Sequence, residues 1–118
     1  EVEIEIEGGG TETRSFIYID DAIDAIGLCA EKGGGNSIFN IGTEEEKKIK
    51  DVADSIGKIL GLELKCSSSK LKKGSTPRRC PDTQKLRSLG FYPKTDFKQG
   101  LTKTVDWYWN YYLESEIE

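Results

Sequence analysis

Two arginine sites carry the clearest chemistry in this 118-residue chain. Arg14 opens the run Arg14-Ser15-Phe16-Ile17-Tyr18-Ile19-Asp20-Asp21-Ala22, and Pro77-Arg78-Arg79-Cys80-Pro81-Asp82 forms the second site. A guanidinium is a planar fork of N–H donors that offers a phosphate two parallel charge-assisted hydrogen bonds. Arg14 is the only positive charge in the first 31 residues and stands among acids. Its residue type therefore leaves two readings open, a phosphate contact or a salt bridge to one of those neighbours. From Lys65 to Arg79 there are six bases and no acid, interleaved with Ser67, Ser68, Ser69, Gly74, Ser75 and Thr76. Hydroxyls and backbone amides of such a loop can wrap phosphate oxygens while cations neutralise them. Lys73, Gly74 and Ser75 are the candidate loop contacts, with Arg78 and Arg79 as the candidate cations.

A solvated loop and a nucleic-acid surface compete for the same basic run. Nucleic acid fits less well, because the chain carries a net charge of −4 and no aromatic residue interleaves with these bases. Asp20 and Asp21 are adjacent carboxylates, but at a helix start such residues act as caps and complement the helix dipole more often than they do acid–base chemistry. Asn40 suits a backbone-bonding role at a strand end. Trp107, Tyr108, Trp109, Tyr111 and Tyr112 cluster near the end of the chain. At helical spacing most of them belong to a core, and the remainder suit a packing surface. The chain has no histidine, and Cys29, Cys66 and Cys80 show no paired metal-ligand spacing. Zinc and a structural disulfide are both disfavoured, and reduced thiols point to the cytoplasm.

The elements that must hold these residues can be read from periodicity. Residues 1–7 alternate acid and aliphatic side chains, the period of a half-buried strand, and Gly8-Gly9-Gly10 end it. Phe16 to Ile19 form a short apolar run leading to Asp20 and Asp21. The following helix presents Ala22, Ile23, Ile26, Cys29 and Ala30 on one face and stops at Gly33-Gly34-Gly35. Ser37 to Ile41 read as a buried strand ending at Gly42. Ile49, Val52, Ala53, Ile56, Ile59 and Leu60 lie on one stripe of a second helix that Gly61 terminates. Thr43 and Glu46 have capping-box spacing that starts this helix early; a start near Lys48 is the other option.

Leu62, Leu64 and Cys66 alternate as a strand, and 67–79 read as a loop. Asp82 caps a short helix through Leu89, and Gly90 stops it. Asp96 and Gln99 make a second capping-box pattern, opening a last helix from Phe97 to about Leu113 whose inner face is Leu101, Val105, Tyr108 and Tyr112. The fold class is α/β, with an α+β-like character: a small sheet of short strands and about four helices in a single layer system.

Composition sets further bounds. A hydrophobic share of 36% and a charged share of 32% describe a soluble globular chain, and no apolar stretch approaches the ~20 residues of a membrane span. The charge is segregated: residues 1–46 hold twelve acids and two bases, and residues 47–95 hold thirteen bases and four acids. That implies an anionic ligand for the middle third, or pairing between the thirds in the fold. The chain contains no methionine and begins within an alternating run. Both features lead us to expect a piece of a larger protein.

The run from Arg14, the Arg78-Arg79-Cys80-Pro81-Asp82 segment and Thr104-Val105-Asp106-Trp107-Tyr108 together resemble the C-terminal, substrate-binding part of the nucleotide-sugar epimerases and dehydratases. These enzymes form the extended branch of the short-chain dehydrogenase/reductase superfamily. The resemblance runs from about Glu7 to about Tyr112. It implies that Arg14 and Arg79, with Arg78 as the fallback, contact the diphosphate of a nucleotide-sugar substrate. It further implies an NAD cofactor bound by an N-terminal Rossmann half, and a homodimeric enzyme. The chain departs from the pattern at Gly74-Ser75, where relatives often carry Gly-Asp. Neither glycine run matches a dinucleotide fingerprint, since Gly8–Gly10 lead into a strand and Gly33–Gly35 follow a helix. No tyrosine has a lysine four residues later, so the catalytic Tyr-x-x-x-Lys pair of the family is missing. A chain with the binding residues and without the catalytic pair is expected to be inactive alone. A stand-alone anion-binding or interaction module is the alternative.

Overall fold

The computed structural model describes residues 1–116. The alternating N-terminal run forms β1 (Val2–Glu7), and Gly8–Gly10 turn the chain in a single 3-10 turn. The next elements are β2 (Thr13–Ser15), α1 (Ile19–Lys32), β3 (Glu46–Lys48) and α2 (Ile49–Leu60). Then come β4 (Leu64–Ser69), β5 (Arg78–Arg79), α3 (Gln84–Arg87) and α4 (Phe97–Ser115). The strands make two small sheets. β1 pairs in parallel with β4, from Val2 opposite Leu64 to Glu7 opposite Ser69. The second sheet has the order β3-β2-β5, with β2 antiparallel to β3 and parallel to β5. This is the α/β architecture of short strands and four helices expected from the sequence.

Helix α2 shows how the sequence fixes these contacts. Lys48 is its N-cap, so the early start offered by Thr43 and Glu46 is not taken. Thr43 instead donates its hydroxyl to the Phe16 carbonyl at 2.7 Å. Glu46 lies in β3, a strand that helical spacing had concealed. At the other end Gly61 adopts φ 65°, and the Leu62 amide donates to the Gly57 carbonyl at 2.9 Å. That closes the helix in the left-handed turn expected of a terminal glycine. Gly57 is needed for a different reason. A Cβ there would stand 2.8 Å from Leu64 Cγ, so only glycine lets α2 lie this close to β4.

The core is small. Ala25, Leu86 and Phe91 are buried together, with Ile17, Leu28, Cys29 and Ile41 packed around them. The buried stripe of α1 is therefore Asp21, Ala25, Leu28 and Cys29. Ile23 and Ile26, expected to face inward, are exposed along with Ile19, because no described element covers that side. Residues 37–41 form no strand in the structure, and Ile38 is 83% exposed. The expected buried strand has the right residues and lacks a neighbour. Ser67–Ser69 belong to β4 and Arg78–Arg79 to β5, so the expected loop shrinks to residues 70–77.

Asp96 caps α4 as its spacing implies, accepting from the Gln99 amide at 2.8 Å. Phe97 then meets Phe16 with ring centroids 5.8 Å apart, and Gly100 rests against Tyr18. Beyond Val105 the helix leaves the body. Trp107, Tyr108, Trp109, Tyr111 and Tyr112 are all about half exposed or more, so they do not form the core that helical spacing suggested. Trp107 stacks on Tyr111 instead, at 5.5 Å and 5°. The radius of gyration of 17.0 Å exceeds the about 13 Å typical of a compact 100-residue domain. None of the helices among the described residues is long and apolar enough to cross a membrane.

Asp21 also departs from its expected role. It does not cap α1, whose N-cap is Tyr18 without a side-chain bond. It is 2% exposed and accepts from the Lys94 and Thr95 amides at 3.1 and 3.0 Å. The carboxylate thus bolts α1 to the segment that launches α4. Replacing it by Ala strips two backbone donors of a charged acceptor, and we expect a loss of about 2–4 kcal/mol in urea unfolding. Asp21→Asn retains one acceptor and should lose roughly half of that. Wild-type stability in Asp21→Ala would show that the bolt carries no load.

Candidate functional site

The site is built on β2. Its central residue, Arg14, stands directly opposite Lys47 of β3 on one side and Arg79 of β5 on the other. Residues in register across a sheet share a face, so three cations lie in one row. Like charges directly opposite each other destabilise a sheet. The row therefore needs an explanation beyond packing. Lys47 is compensated: it pairs with Glu45 and lies over the Phe97 ring, 5.0 Å from its centroid. The arginines are not. Arg14 donates through Nη1 to the Thr13 carbonyl at 2.7 Å, and Arg79 through Nε to Thr76 Oγ1 at 2.9 Å. Among the described residues no carboxylate lies within ion-pairing distance of either.

Arg78, next in sequence, is committed elsewhere. Its Nε and Nη2 donate to Glu46 Oε1 and Oε2 at 2.8 and 2.9 Å, a two-point fork. Thr13 Oγ1 donates to Glu46 Oε1 at 2.8 Å. The guanidinium beside it, then the Thr13 hydroxyl, hold the Glu46 carboxyl below its ordinary value, and Glu46 raises Arg78 in turn.

Arg14 and Arg79 line a shallow hollow of about 690 Å³ together with Arg78, Ser15, Ile17, Gly42 and Pro81. Gly42 is required there, because a Cβ would stand 2.9 Å from Pro81 Cγ. Asn40 draws the two segments together by donating Nδ2 to the Asp82 carbonyl at 3.1 Å, the backbone role expected of it. A larger neighbouring cavity of about 870 Å³ shares Ile17 and Gly42 and is walled by Tyr18, Phe91, Phe97 and Leu101. Charges there are partly satisfied internally: Arg87 pairs with Glu44 at 2.8 Å, and Glu44 also accepts from Thr83. The hollow beside β2 is thus the place where cations without acid partners converge.

The structure brings together Arg14, Arg78 and Arg79. It does not bring Lys73, Gly74 and Ser75 to them. Those residues form a turn in the β4–β5 connection, where Gly74 has φ 90° and the Ser75 amide donates to the Lys72 carbonyl. Sequence reading missed Lys47, Glu46 and Pro81. The alternation of Glu46-Lys47-Lys48 is too short to signal a strand, and Pro81 was visible only as part of a motif. No group of three or more metal-ligating side chains gathers among the described residues.

Comparison with known proteins agrees with this architecture. Residues 1–42 match the model of the NAD dependent epimerase/dehydratase family. GDP-L-fucose synthase 1 of Arabidopsis thaliana is 35% identical over 106 residues, covering 90% of this chain and 33% of that protein. Human dTDP-D-glucose 4,6-dehydratase is 30% identical over 112 residues, 87% of this chain and 31% of the relative. The structure of UDP-glucose 4-epimerase from Thermotoga maritima with UDP-glucose superposes with a TM-score of 0.83. It is 30% identical, over 98% of this chain and 36% of the epimerase. The chain is similar to one segment of NAD dependent epimerase/dehydratase family proteins. It spans about a third of the length of these relatives. The match from 1 to 42 covers β1, β2 and α1, the elements that carry Arg14 and the bolt at Asp21.

The Arg78–Glu46 fork makes one feature of this site measurable. Because the Arg78 fork and the Thr13 hydroxyl hold the folded carboxyl below its ordinary value, its stabilising effect is complete above the unfolded value and is lost as pH falls through the folded one. A side-chain carboxyl NMR titration should place Glu46 below that value, and Arg78→Ala should return it upward. An unmoved Glu46 in Arg78→Ala would show that the fork does not form in solution.

Proposed function

We propose that this segment is the C-terminal, substrate-binding part of an NAD-dependent nucleotide-sugar epimerase or dehydratase, and that Arg14 and Arg79 clamp the diphosphate of the substrate. The observation that carries this reading is the register of β2 and β5, which sets two arginines without acid partners among the described residues side by side at an open hollow. Two guanidinium forks match the two phosphoryl groups of a nucleoside diphosphate, and fixing those groups orients the attached sugar. Arg78 is the less suited contact, since Glu46 occupies its fork. Lys73, Gly74 and Ser75 reach the substrate only if their turn folds over the hollow.

NAD belongs in this proposal to an N-terminal Rossmann half outside the chain. Supporting that placement, Gly8–Gly10 run from β1 toward β2 and Gly33 closes α1, so neither glycine run opens a helix onto a pyrophosphate. Bound there, the cofactor supplies the hydride acceptor for the sugar. The apolar faces of α1 and α4 suit contact with that half, and the whole enzyme is a cytoplasmic homodimer. Residues 1–118 then act as one substrate-binding domain without turnover of their own. One observation favours a stand-alone anion-binding module as the second reading: both clamp residues come from this chain.

Amide chemical-shift titrations of the chain with UDP, GDP, dTDP and CDP test the clamp. Saturable shifts should centre on Arg14 and Arg79, and their ranking should name the base. Arg14→Ala and Arg79→Ala should each weaken binding about tenfold or more, the effect of losing hydrogen bonds to a charged group. Unchanged affinity in both variants would overturn the assignment. Catalytic turnover by the chain alone would overturn its division into binding and catalytic parts.

A further inference from the structure

We infer that Glu46 is a positioning residue for the diphosphate site, acting through Arg78 to hold Arg79 opposite Arg14. The inference rests on the clamp proposed above and extends it to a residue that touches no substrate. β5 has only two residues, and both flanks are loop, 70–77 before it and 80–83 after it. Its ladder with β2 is correspondingly short, supported by the Thr13 amide donating to the Pro77 carbonyl at 2.9 Å. A two-residue strand can slip, and a one-residue slip turns every side chain to the other face. Such a slip would carry Arg79 away from Arg14.

The fork prevents it geometrically. Arg78 reaches from β5 to Glu46 in β3, so the pair spans the central strand between them. Thr13 of that central strand adds its hydroxyl to Glu46 Oε1, which ties all three strands at one carboxylate. Neighbouring residues in a strand point to opposite faces. Arg78 can therefore anchor β5 on one face while Arg79 stays with Arg14 on the other. A single-point cation would not serve as well, because both oxygens of Glu46 are engaged by the fork.

Electrostatics and positioning predict opposite signs for the same change. Glu46 is a negative charge near a site for an anion, so a purely Coulombic role predicts tighter diphosphate binding when the charge is removed. Positioning predicts weaker binding. The full chain is titrated calorimetrically with inorganic pyrophosphate and with UDP, as wild type, Glu46→Gln, Glu46→Ala, Arg78→Ala and the double variant Glu46→Ala/Arg78→Ala. We expect Glu46→Gln to weaken both probes about three- to tenfold, as misplacement of a binding group does. The double variant should be no weaker than the worse single one, since both act through one contact. Thr13→Val, which leaves every charge in place, should shift affinity in the same direction by less. Thermal melts and the amide spectrum establish that each variant is folded.

Glu46→Gln binding pyrophosphate as tightly as wild type, or more tightly, while Arg14→Ala and Arg79→Ala lose it, would overturn the inference and leave the clamp standing. Losses that add in the double variant would overturn the shared action of the pair. A wild-type chain that takes up neither probe would remove the diphosphate reading, and this inference with it.

Discussion

The site depends on the pairing of β2, a strand of three residues. Its partners come from far along the chain: Glu46 lies opposite Ser15, and Arg79 opposite Arg14. Closing loops of this size carries an entropic cost that a handful of ladder bonds barely offsets. The structure supplements the ladder with side chains. Glu46, Thr13 and Arg78 tie the three strands on one face. Asn40 and the Gly42–Pro81 contact draw in the segment that leaves β5. Apart from Pro81, each of these residues is polar or lacks a side chain, so the site is assembled by hydrogen bonds and close approach at Gly42 more than by an apolar core.

Charge segregation along the chain has a structural counterpart. All six ion pairs among the described residues join an acid from residues 1–46 to a base from residues 47–95. Glu1 meets Lys65, Glu7 meets Lys72, Glu44 meets Arg87 and Glu46 meets Arg78. Exposed pairs of this kind contribute little stability individually. They do bring the acidic and basic thirds together in one arrangement, in which the bases at the hollow are left over.

What could be read in the sequence was whatever local chemistry decides. The Asp96 cap, the Gly61 stop and the stripe of α2 depend on residues within one or two turns of each other, and they stand where spacing put them. The two arginine sites were visible as residue types. Their register was not, because β3 and β5 are three and two residues long and leave no periodic signal. Asp21 shows the same limit from the other side. Its position at a helix start suggested a cap, yet its partners are the amides of Lys94 and Thr95, 73 and 74 residues away. The expected strand at 37–41 and the expected inner faces of α1 and α4 fail together, and for a common reason. Periodicity reports that a face is apolar; it does not say which element covers it.

That common failure bears on how the chain is stabilised. Ile19, Ile23 and Ile26 form an uncovered stripe on α1, Ile38 stands exposed between α1 and β3, and the end of α4 carries five exposed aromatic rings. Complete burial of such side chains contributes roughly 1.5–3 kcal/mol each and these are already partly covered, so the uncovered faces together forgo an amount comparable to the net stability of an ordinary domain. The described core of Ala25, Leu86 and Phe91 is small by comparison. The clamp, however, draws on neither. Arg14, Arg79, Arg78, Glu46 and Thr13 belong to the short sheet and not to α1 or α4, and their bonds close within the chain. The proposed division of labour follows from that separation. Apolar faces suited to neighbours set how firmly the segment is held, while the polar ties around β2 set whether its two free arginines stay side by side.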